Sequence, residues 1–555
     1  MNSSLKGPGP HFVKPTHLNM LNTLHLLAIP VLLIGYNLWE YLLRRRRRGL
    51  PYPPGPRRLP IIGSFFDVLT RTGLKTQWAI YRDMGHMYHS DILHIDIFGD
   101  HTVVLNSAKA AEELLGRRSG IYSSRPTMYM ANESGWGWNF GIMPYTSLWR
   151  LRRRTFHQHF RSDAIAAYHP FIRQATSRLL RSLSGIQSTT MVTQYDDLQA
   201  IIRQHAASII LYITYGINEQ EDMEAFVELV KNAAESINTA AIHGNFLVDY
   251  FPLLRYVPAW FPGAHFKRKA TRWSRYTSEL VNKPWNQLRA SISSGTAISC
   301  FGTKCLEKVD FTFNAADATG DISDLGTSKT ESDTKMEEVI RDCAGTAYVA
   351  GSDTSVSLIL ISVLVLSHHP EIQAKAQEEL DRVLGSATQL PDFSDRGNLP
   401  YVEAVFKELM RMYPSVPLGT TVVGNAWAIL HDENLYPDPL TFNPDRFLRT
   451  KPQRGAPAAK DSLNPDPELY AFGFGRRICP GRHLALDTSW LVLACLLATC
   501  NITRISKSKE IDPIADFTDA ATVHAKPFKC CIIPRSAGAF ELMQTGYEVE
   551  TTVET

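Results

Sequence analysis

The segment from Phe472 to Gly481, FGFGRRICPG, holds the residues whose types and spacing point most clearly to chemistry. Its glycines allow close approaches of the backbone that side chains would block, so the loop can pack against something flat. Cys479 is a candidate metal ligand, because cationic neighbours such as Arg476 and Arg477, or a metal, favour a thiolate over a thiol. Backbone N–H groups directed at the sulfur would tune its electron density.

Cys479 could instead be a buried structural cysteine or a regulatory thiol. Free cysteines are among the most buried residues in proteins, so a single cysteine would by itself favour the structural role. The spacing of the whole loop favours a ligand instead. The residues that carry this spacing are Phe472, Gly475, Arg477, Cys479 and Gly481.

An acid and a hydroxyl, Asp353 and Thr354, stand side by side inside an apolar run. The run is predicted to form a long helix from about Met336 to Ser367, in which burying these groups costs a few kcal/mol unless they are satisfied. A local kink would account for them, since a threonine can bond back to a helix carbonyl. A second membrane span is the alternative, although Asp353 and the glycines beside it argue against a span.

Several charged residues are placed at helical spacing. Glu408 and Arg411 stand three apart, which alone predicts no more than a surface ion pair worth a few tenths of a kcal/mol. Arg446 follows in the segment FNPDRF, between a proline and a phenylalanine. Trp149 and Arg153 stand four apart and therefore share one face of a helix.

The loop pattern F-x-x-G-x-R-x-C-x-G resembles the haem-ligand loop of the cytochromes P450, which are cysteine-thiolate haem proteins. The other motifs follow in the family's order, so the resemblance extends over nearly the whole chain. It implies that Cys479 is the axial ligand of haem b and that Arg477 meets a haem propionate. Phe472, Gly475 and Gly481 would shape the loop around the cofactor, and Trp149 with Arg153 would hold a propionate.

The resemblance also gives roles to the acid and the charged residues. Asp353 and Thr354 would deliver protons during dioxygen activation, from a widened helix whose hydroxyl can reach the reacting oxygen. The remaining three residues would form a buried triad that locks the loop leading to the cysteine, a structural role that suits a bidentate network. They are Glu408, Arg411 and Arg446.

The activity implied is that of a haem-thiolate monooxygenase acting on a small apolar organic substrate. Electrons would come from NADPH through NADPH–cytochrome P450 reductase, with cytochrome b5 as a possible second donor, and dioxygen would give a hydroxylated product and water. A thiolate-haem isomerase or peroxygenase is the alternative. Neither would need Asp353 and Thr354, so the presence of these residues favours dioxygen activation. Segments such as GLPYPPGP resemble microsomal enzymes of fungi, particularly of mushroom-type secondary metabolism. Terpenoid, indolic and polyketide substrates all remain open.

A basic helix has two interpretations. The arginines at 150, 152 and 154 accompany Trp149 and Arg153 but fall elsewhere on the helix. They form either a solvated face or a positive docking surface for an acidic flavoprotein, which would raise the on-rate more than the affinity. Both interpretations stay open.

The composition of the chain limits which classes of protein it can belong to. The chain has 555 residues, 44% of them hydrophobic, and a net charge of +3 that is too small to argue for nucleic acid. Its eight cysteines form no CxxC pair, which indicates a protein of a reducing compartment and not a disulfide scaffold. The family fold is mainly α: one large helical body with a small β part near its N-terminal side.

Local patterns predict individual elements of that body. The segments DDLQAIIRQHAASIILYITYG, HHPEIQAKAQEELDRVLG and RHLALDTSWLVLACLLATC have helical character. ILHIDIFG and HTVVLN predict a hairpin across Gly-Asp. The polar stretch from about Thr312 to Thr334 predicts a surface loop.

The N-terminal region predicts a membrane anchor. Residues Leu24 to Leu43 form an apolar stretch of bilayer-spanning length, and five arginines, Arg44 to Arg48, follow it. This order places the body in the cytosol and residues 1–23 in the lumen; in a signal peptide the charges would come first. We therefore expect a single-pass protein of the endoplasmic reticulum, with a basic and proline-rich linker (44–63), a catalytic domain (64–540) and a C-terminal tail (541–555).

One departure from the family lies between Leu418 and Thr420. After KELMRMYPSVPLG the family usually continues through short strands and a tight turn, but here Gly419 is followed at once by Thr420. The strand TTVVGNAW would lose its sequence-adjacent partners, and each buried unpaired backbone group costs about 1–3 kcal/mol. This predicts an opened pocket, with a haem-binding protein of impaired or no catalysis as the alternative function.

Overall fold

The computed structural model describes most of the chain from residue 51 to residue 547. The described ranges are 51–70, 76–185, 192–218, 223–242, 244–308, 329–416, 422–448, 464–505 and 510–547, together with Gly35. The predicted anchor at 24–43, the arginine run after it and the connection at 418–420 lie outside these residues.

Helices form most of the described chain. The longer ones are α1 (Gln77–Met87), α2 (Ser147–Phe160), α3 (His169–Gly185), α4 (Tyr195–Tyr215), α5 (Met223–Ala240), α6 (His265–Ser293), α7 (Lys329–His368), α8 (Pro370–Leu384), α9 (Pro400–Met412) and α10 (Arg482–Thr499). The short α-helices are Phe65–Leu69, Ala108–Ala111, Ser119–Tyr122, Tyr129–Glu133, Ser162–Ile165, Leu247–Tyr250, Ala426–Leu430, Glu468–Ala471 and Ala537–Thr545, and residues 301–308 are also helical. A π-helical turn spans Glu112–Arg117, and 3₁₀ turns span Trp136–Trp138, Ala166–Tyr168, Pro252–Tyr256, Phe393–Asn398, Pro444–Phe447 and Gly475–Arg477.

The centre of the body is α7, a 40-residue helix that packs against α4, α5, α6 and α10. Among the described residues it is the one helix long and apolar enough to cross a membrane, and 78% of its most apolar stretch is buried inside the protein. It is therefore a core helix, as its acid and glycines predicted. Its first turns begin at Lys329, so the last six residues of the loop predicted to reach Thr334 are helical instead.

The strands form two small sheets. The strands are β1 (Ile92–Ile97), β2 (Asp100–Leu105), β3 (Val422–Gly424), β4 (Cys500–Arg504) and β5 (Cys530–Pro534). The first two form the predicted hairpin, which is confirmed, and β2 also pairs in parallel with β3. β4 pairs antiparallel with β5 near the C-terminal end.

The pairing of β3 bears on the predicted loss of sequence-adjacent partners. Val422 to Gly424 pair residue for residue with Val103 to Leu105 of β2, which is distant in sequence, so one edge of β3 is hydrogen-bonded. Upstream, the carbonyl of Ser415 accepts a hydrogen bond of 2.9 Å from the backbone of Val523. Among the described residues, β2 is thus the strand that pairs with β3, and β3 is an edge strand of its sheet.

A glycine ends α4 and a proline begins α8, at the positions that the sequence predicts. Gly216 closes α4 at a φ of +71°, and a Cβ there would lie 2.7 Å from Ile298, so the position favours glycine. Pro370 opens α8 at its first position, where its missing N–H costs nothing. Both helices are confirmed, as is the buried helix α10 that follows the cysteine loop.

Candidate active site

A cavity of about 290 Å³ lies between the cysteine loop, α7, α9 and the segment before Tyr129. Its apolar wall includes Leu115, Leu358, Phe406, Met410 and Leu486, and Cys479 and Thr354 also line it. No carboxylate lines the cavity among the described residues. Of the segment 123–140, residues 123–125 line the cavity, while Trp136 and Phe140 are buried in the core.

The backbone of the cysteine loop is fixed by one glycine and one hydrogen bond. Gly475 has a φ of +54°, and a Cβ there would lie 1.9 Å from the carbonyl oxygen of Leu115. Only glycine allows this approach to the neighbouring turn. The amide of Cys479 donates to the carbonyl of Phe472 at 2.8 Å, and Arg482 then begins α10. The loop is thus closed on itself with the sulfur at its end.

The Cys479 sulfur lies at the cavity surface and is partly exposed. Burial raises the pKa of its thiol, while the Gly481 amide, Arg153 and Arg482 oppose that rise. The cations that act on the sulfur are therefore Arg153 and Arg482, not the loop's own arginines as the sequence suggested. A bound cation would lower the cost of the thiolate further, since metal ligation deprotonates the thiol.

The loop arginine that was predicted to meet a propionate points towards the segment before α2. The Arg477 guanidinium donates to the carbonyls of Ser123 (2.7 Å), Phe140 (3.3 Å) and Met143 (2.7 Å). It also lies 4.2 Å from the centre of the Trp149 ring. Burial, with the charges of neighbouring arginines, lowers the pKa of Arg477 to about 9. The side chain lines the cavity without an ion pair to any described carboxylate.

Trp149 and Arg153 of α2 differ in whether their side-chain donors are already hydrogen-bonded within the protein. The Trp149 indole N–H donates to the Phe140 carbonyl at 3.1 Å, so its donor is already used by the protein. Arg153 forms no hydrogen bond or ion pair with any described residue, although it is partly buried and near Cys479. Burial lowers the pKa of Arg153, and the sulfur opposes this. Arg153 is therefore a cation beside the sulfur whose side chain lacks an anionic partner in the described chain.

A third arginine, Arg125, lines the same cavity, and sequence reasoning missed it. Burial lowers its pKa to about 10, and its charge in turn lowers the pKa of Arg477, which places the two guanidiniums close together. No motif marked Arg125, because it lies in a loop far from both α2 and the cysteine.

Neighbouring arginines of α2 belong to other environments. Arg152 is buried and paired with Asp342 of α7, so it cannot be part of the basic surface considered from the sequence. Arg150 and Arg154 are exposed. Only these two remain available for a positive docking surface on this helix.

The acid and the hydroxyl of α7 face different ways. Thr354 lines the cavity, and its hydroxyl donates back to the Ala350 carbonyl at 2.8 Å. Asp353 does not line the cavity and is 5% exposed. The structure thus brings Thr354, but not Asp353, to the cavity that Cys479 also lines.

Asp353 is held by three partners on three elements. Its carboxylate accepts from Asn238 of α5 at 2.8 Å and from Arg203 of α4 at 3.3 Å, and it lies 3.3 Å from the His524 ring. Burial raises the pKa of this carboxyl, but the bond and charge of His524, with Arg203 and Asn238, outweigh it and hold the pKa well below its usual range. The group is an anion fixed away from the cavity.

The Glu408 carboxylate is the centre of a fully buried network. Arg411 donates to both of its oxygens at 2.7 and 2.8 Å, and neither side chain is exposed. Arg446 donates to Glu408 at 3.1 Å and to three carbonyls between Pro437 and Thr441. The network therefore ties α9 to the segment that leads to the cysteine loop.

Comparison with known proteins identifies the family. The model of the family described as cytochrome P450 matches residues 53–532 of the chain. The protein belongs to the cytochrome P450 family. The matched range includes the cysteine loop, the α7 pair and the Glu408 network, and the protein is an oxidoreductase of the monooxygenase class.

Curated relatives of this P450 are fungal monooxygenases. It is 35% identical to a cytochrome P450 monooxygenase of Armillaria gallica over 540 residues, which is 93% of this chain and 98% of that protein. It is 37% identical to cytochrome P450 monooxygenase 98 of Postia placenta over 551 residues, 95% of this chain and 98% of the relative. A tryptamine 4-monooxygenase of Psilocybe cyanescens is 33% identical over 92% of this chain and 98% of its own length.

The residues around the cavity fit the haem that the P450 family implies. A thiolate ligand needs a sulfur that opens to the cofactor, and Cys479 lines the cavity. Haem propionates are two carboxylates, and Arg153 and Arg477 are partly buried cations without a carboxylate partner in the described chain. The apolar wall suits a flat macrocycle. The donor set and the charge excess both match an anionic, cysteine-ligated haem.

Proposed function

We propose that this P450 is a haem-thiolate monooxygenase that inserts one oxygen atom from O₂ into a small, mainly apolar organic molecule. The observation that carries this proposal is the position of Cys479, which opens into an apolar cavity that Arg477 also lines. Arg153 lies near the sulfur, and neither of these two arginines pairs with a carboxylate among the described residues. The bound haem supplies dioxygen activation, and donation from a thiolate favours O–O cleavage.

The chain's own residues bind and orient the cofactor in this proposal. Cys479 holds the metal, and the Gly481 amide, which bonds to the sulfur, tunes its electron density. Arg153 and Arg477 bind the two propionates through charge-assisted hydrogen bonds, and Arg125 adds a third positive charge. Phe472 and Gly475 keep the loop close enough for the sulfur to reach the cavity.

The two residues of α7 divide the handling of protons. The Thr354 hydroxyl faces the cavity and donates a hydrogen bond to a helix carbonyl, so it can hold or pass a proton at its Oγ1 atom. Asp353 is ionised and lies outside the cavity, held by its three hydrogen-bonding partners. It acts on Thr354 through its charge and its fixed position, or it reaches the cavity after its carboxylate rotates. This division follows from the direction in which each side chain points.

The substrate we propose is neutral and mainly apolar. Leu115, Leu358 and Met410 supply apolar wall, and the described lining residues supply no carboxylate that would pair with a protonated amine. The relative named for tryptamine acts on an amine, but this cavity offers an amine no anionic partner among the described residues. We place the reaction in secondary metabolism, as the resemblance of the sequence to microsomal enzymes of fungi implies.

Electrons and location form the last part of the proposal. Reducing equivalents come from NADPH through a reductase, docked on the exposed Arg150 and Arg154 of α2. Residues 24–43 anchor the protein in the membrane of the endoplasmic reticulum, and Arg44 to Arg48 hold the body in the cytosol. Protease added to intact microsomes should then digest the haem domain, and full protection of that domain would refute this orientation.

The decisive experiment measures the absorption spectrum of the haem and then the oxygenated product. The full chain is expressed in microsomes with a reductase, and the reduced, carbon-monoxide-bound haem is compared between the natural chain, Cys479→Ala and the control Cys531→Ala. We expect the red-shifted Soret band of a thiolate haem to vanish only in Cys479→Ala, because only that sulfur opens to the cavity. A Cys479→Ala protein that keeps the band would refute the ligand.

Metabolite comparison then tests the reaction. Cells that express the natural chain should accumulate a neutral compound whose mass is increased by one oxygen atom, and the Cys479→Ala cells should not. A loaded, reducible haem without any oxygenated product would favour the alternative of an impaired haem-binding protein. Insertion of a family-like segment between Leu418 and Thr420 separates these cases, since it restores product only if the short connection is the defect.

A further inference from the structure

A short turn at residues 517–525 connects α7 with the wall of the active-site cavity. The two ends of the turn pair with each other through a β-bridge. Near its far end, the amide of Val523 donates to the carbonyl of Ser415, a residue of the cavity wall, at 2.9 Å. The Val523 carbonyl in turn accepts from the Ser357 hydroxyl of α7. The turn is therefore held both to the cavity wall and to the helix that carries the acid and the hydroxyl.

His524 lies in this turn, and its ring reaches the carboxylate of Asp353. Nε2 of the ring is 3.3 Å from Oδ2 of Asp353, and the His524 side chain is 13% exposed. An ionised carboxylate can only accept, so Nε2 carries the proton. The Thr518 hydroxyl accepts from the His524 amide at 2.9 Å, and the Thr518 amide donates to the His524 carbonyl at 2.9 Å. The backbone of the turn thus fixes the position of the ring.

The same turn supports a second partner of Asp353. The Thr522 hydroxyl donates to the side-chain oxygen of Asn238 at 3.0 Å, and the Asn238 amide donates to Asp353 at 2.8 Å. The third partner, Arg203, comes from α4 and donates at 3.3 Å. Two of the three contacts that hold the carboxylate therefore involve residues bound to this turn.

The contacts around Asp353 leave two buried nitrogen atoms unpaired. Nδ1 of His524 and Nε of Arg203 have no hydrogen-bond partner among the described residues. Buried polar atoms in native proteins are mostly paired, so each exception needs an explanation. A side chain that only packed at position 524 would leave no such atom. The bond from Nε2 to Asp353 therefore accounts for a histidine at this position.

His524 also has the strongest electrostatic effect on the acid. Burial raises the pKa of Asp353, and His524 opposes this more strongly than Arg203 or Asn238 does. A further titratable neighbour is Tyr195 of α4, whose hydroxyl donates to a carbonyl of the turn at 3.0 Å. Burial raises the pKa of Tyr195, so it stays neutral. The charges that face the Asp353 carboxylate come from α4 and from the turn.

We propose that His524 is a positioning residue for proton delivery, which fixes the Asp353 carboxylate in one orientation behind Thr354. This inference rests on the proposed monooxygenase function. Proton transfer requires groups that are held within hydrogen-bond reach of one another. A carboxylate that was free to rotate would occupy several positions, and fewer of the reduced oxygen molecules would receive their protons through Thr354. His524 touches neither substrate nor cofactor and acts only through Asp353.

A double-mutant cycle in the haem-loaded full chain, expressed in microsomes with a reductase, tests this route. His524→Leu should keep the thiolate spectrum but lower the ratio of product formed to NADPH consumed several-fold. In an Asp353→Asn chain the same change should have no further effect. His524→Gln keeps an N–H donor, so it should retain more of the ratio than His524→Leu. The control His86→Leu, at an exposed position of α1, should leave the ratio unchanged.

Infrared titration gives a readout that does not depend on turnover. The carboxyl band of Asp353, assigned by its loss in Asp353→Asn, is followed in the natural chain and in His524→Leu. Without His524 the effect of burial is less opposed, so the pKa of Asp353 should rise by at least about one unit. Thr518→Val removes the hydroxyl that holds the His524 amide and should shift both readouts in the same direction. It supplies the second measurement if His524→Leu does not fold.

Three outcomes would overturn the inference. They are a natural ratio of product to NADPH in His524→Leu, additive losses from His524→Leu and Asp353→Asn, and a pKa of Asp353 that His524→Leu does not change. If the natural chain itself forms no product, the proposed monooxygenase function is what fails. The infrared titration then still decides whether His524 fixes the carboxylate.

Discussion

Two groups of buried arginines in this protein differ in whether the chain supplies their counter-charge. Arg411 and Arg446 share the Glu408 carboxylate, which also accepts from the Asn443 amide at 2.9 Å. Arg477 bonds only to carbonyls, and Arg153 bonds to nothing in the described chain. The first group is complete without a ligand and locks the fold. The second has no carboxylate partner among the described residues, and in the proposed function the haem propionates supply one.

The largest effect is expected at the complete network. Glu408→Gln leaves Arg411, which has no exposed surface, as an uncompensated buried charge and should cost about 3–5 kcal/mol of unfolding free energy. Urea unfolding or yield of soluble protein measures the loss, with the exposed Glu371→Gln as control. An unfolding midpoint like that of the natural chain would show that the network does not hold this fold.

The incomplete group should respond in the opposite way. Arg153→Gln removes a cation that the protein itself does not use, so the fold should persist while haem is retained about tenfold less tightly or worse, as expected for a lost bond of about 1.5–3 kcal/mol to a charged group. Haem content after transfer to an excess of a haem acceptor measures this. Arg154→Gln, one residue on and exposed, is the matched control; equal haem loss in both variants would remove the special role of Arg153.

Thr354 sharpens the comparison at the other wall of the cavity. Thr354→Ala should keep haem and the thiolate spectrum but lower the ratio of product formed to NADPH consumed several-fold, because the hydroxyl that faces the cavity is lost. Ser352→Ala is the control, since Ser352 is buried in the same helix and its hydroxyl has no partner among the described residues. If Thr354→Ala does not change the ratio of product to NADPH consumed, the proposed role of Thr354 in proton transfer is wrong.

A last, pH-dependent effect concerns buried histidines, which are kept neutral and are not paired with acids. Burial lowers the pKa of His159 and His205 to about 4, against about 6.5 in the unfolded chain. The unfolded state therefore binds more protons between these values, so stability falls as the pH falls from about 6.5 to about 4. Each group should cost about 2 kcal/mol at pH 5.

Unfolding free energies at pH 7 and pH 5 measure this slope. His159→Gln should flatten it relative to the natural chain, whatever its effect at pH 7, while the control His86→Gln, at an exposed position of α1, should leave it unchanged. A natural chain equally stable at both pH values would contradict the assignment of neutral buried rings.

Much of the fold and of the cavity follows from local sequence. The glycines and the cysteine of residues 472–481 stand within one loop, so their spacing alone predicted a backbone that carries a sulfur to a cavity. The hairpin of β1 and β2, α8 with its first-turn proline, and the buried α10 depend on neighbours in sequence and were predicted for the same reason.

Tertiary structure decided which partner each charged group meets. Helical spacing predicted that Trp149 and Arg153 share a face. It did not predict that Arg125 lines the same cavity as Arg477 from a loop, or that Arg152 is buried against Asp342. Spacing likewise could not show that Asp353 turns from the cavity that Thr354 lines.

The sequence by itself therefore determined the cysteine loop, the helices and the P450 class, because those signals lie within single segments of the chain. The pairing of β3 with β2, the two arginine environments and the contact of His524 with Asp353 were set only when distant segments packed together. The physical reason is that a side chain's spacing fixes the direction it faces on its own element, whereas its charge is balanced by whatever another element places opposite it.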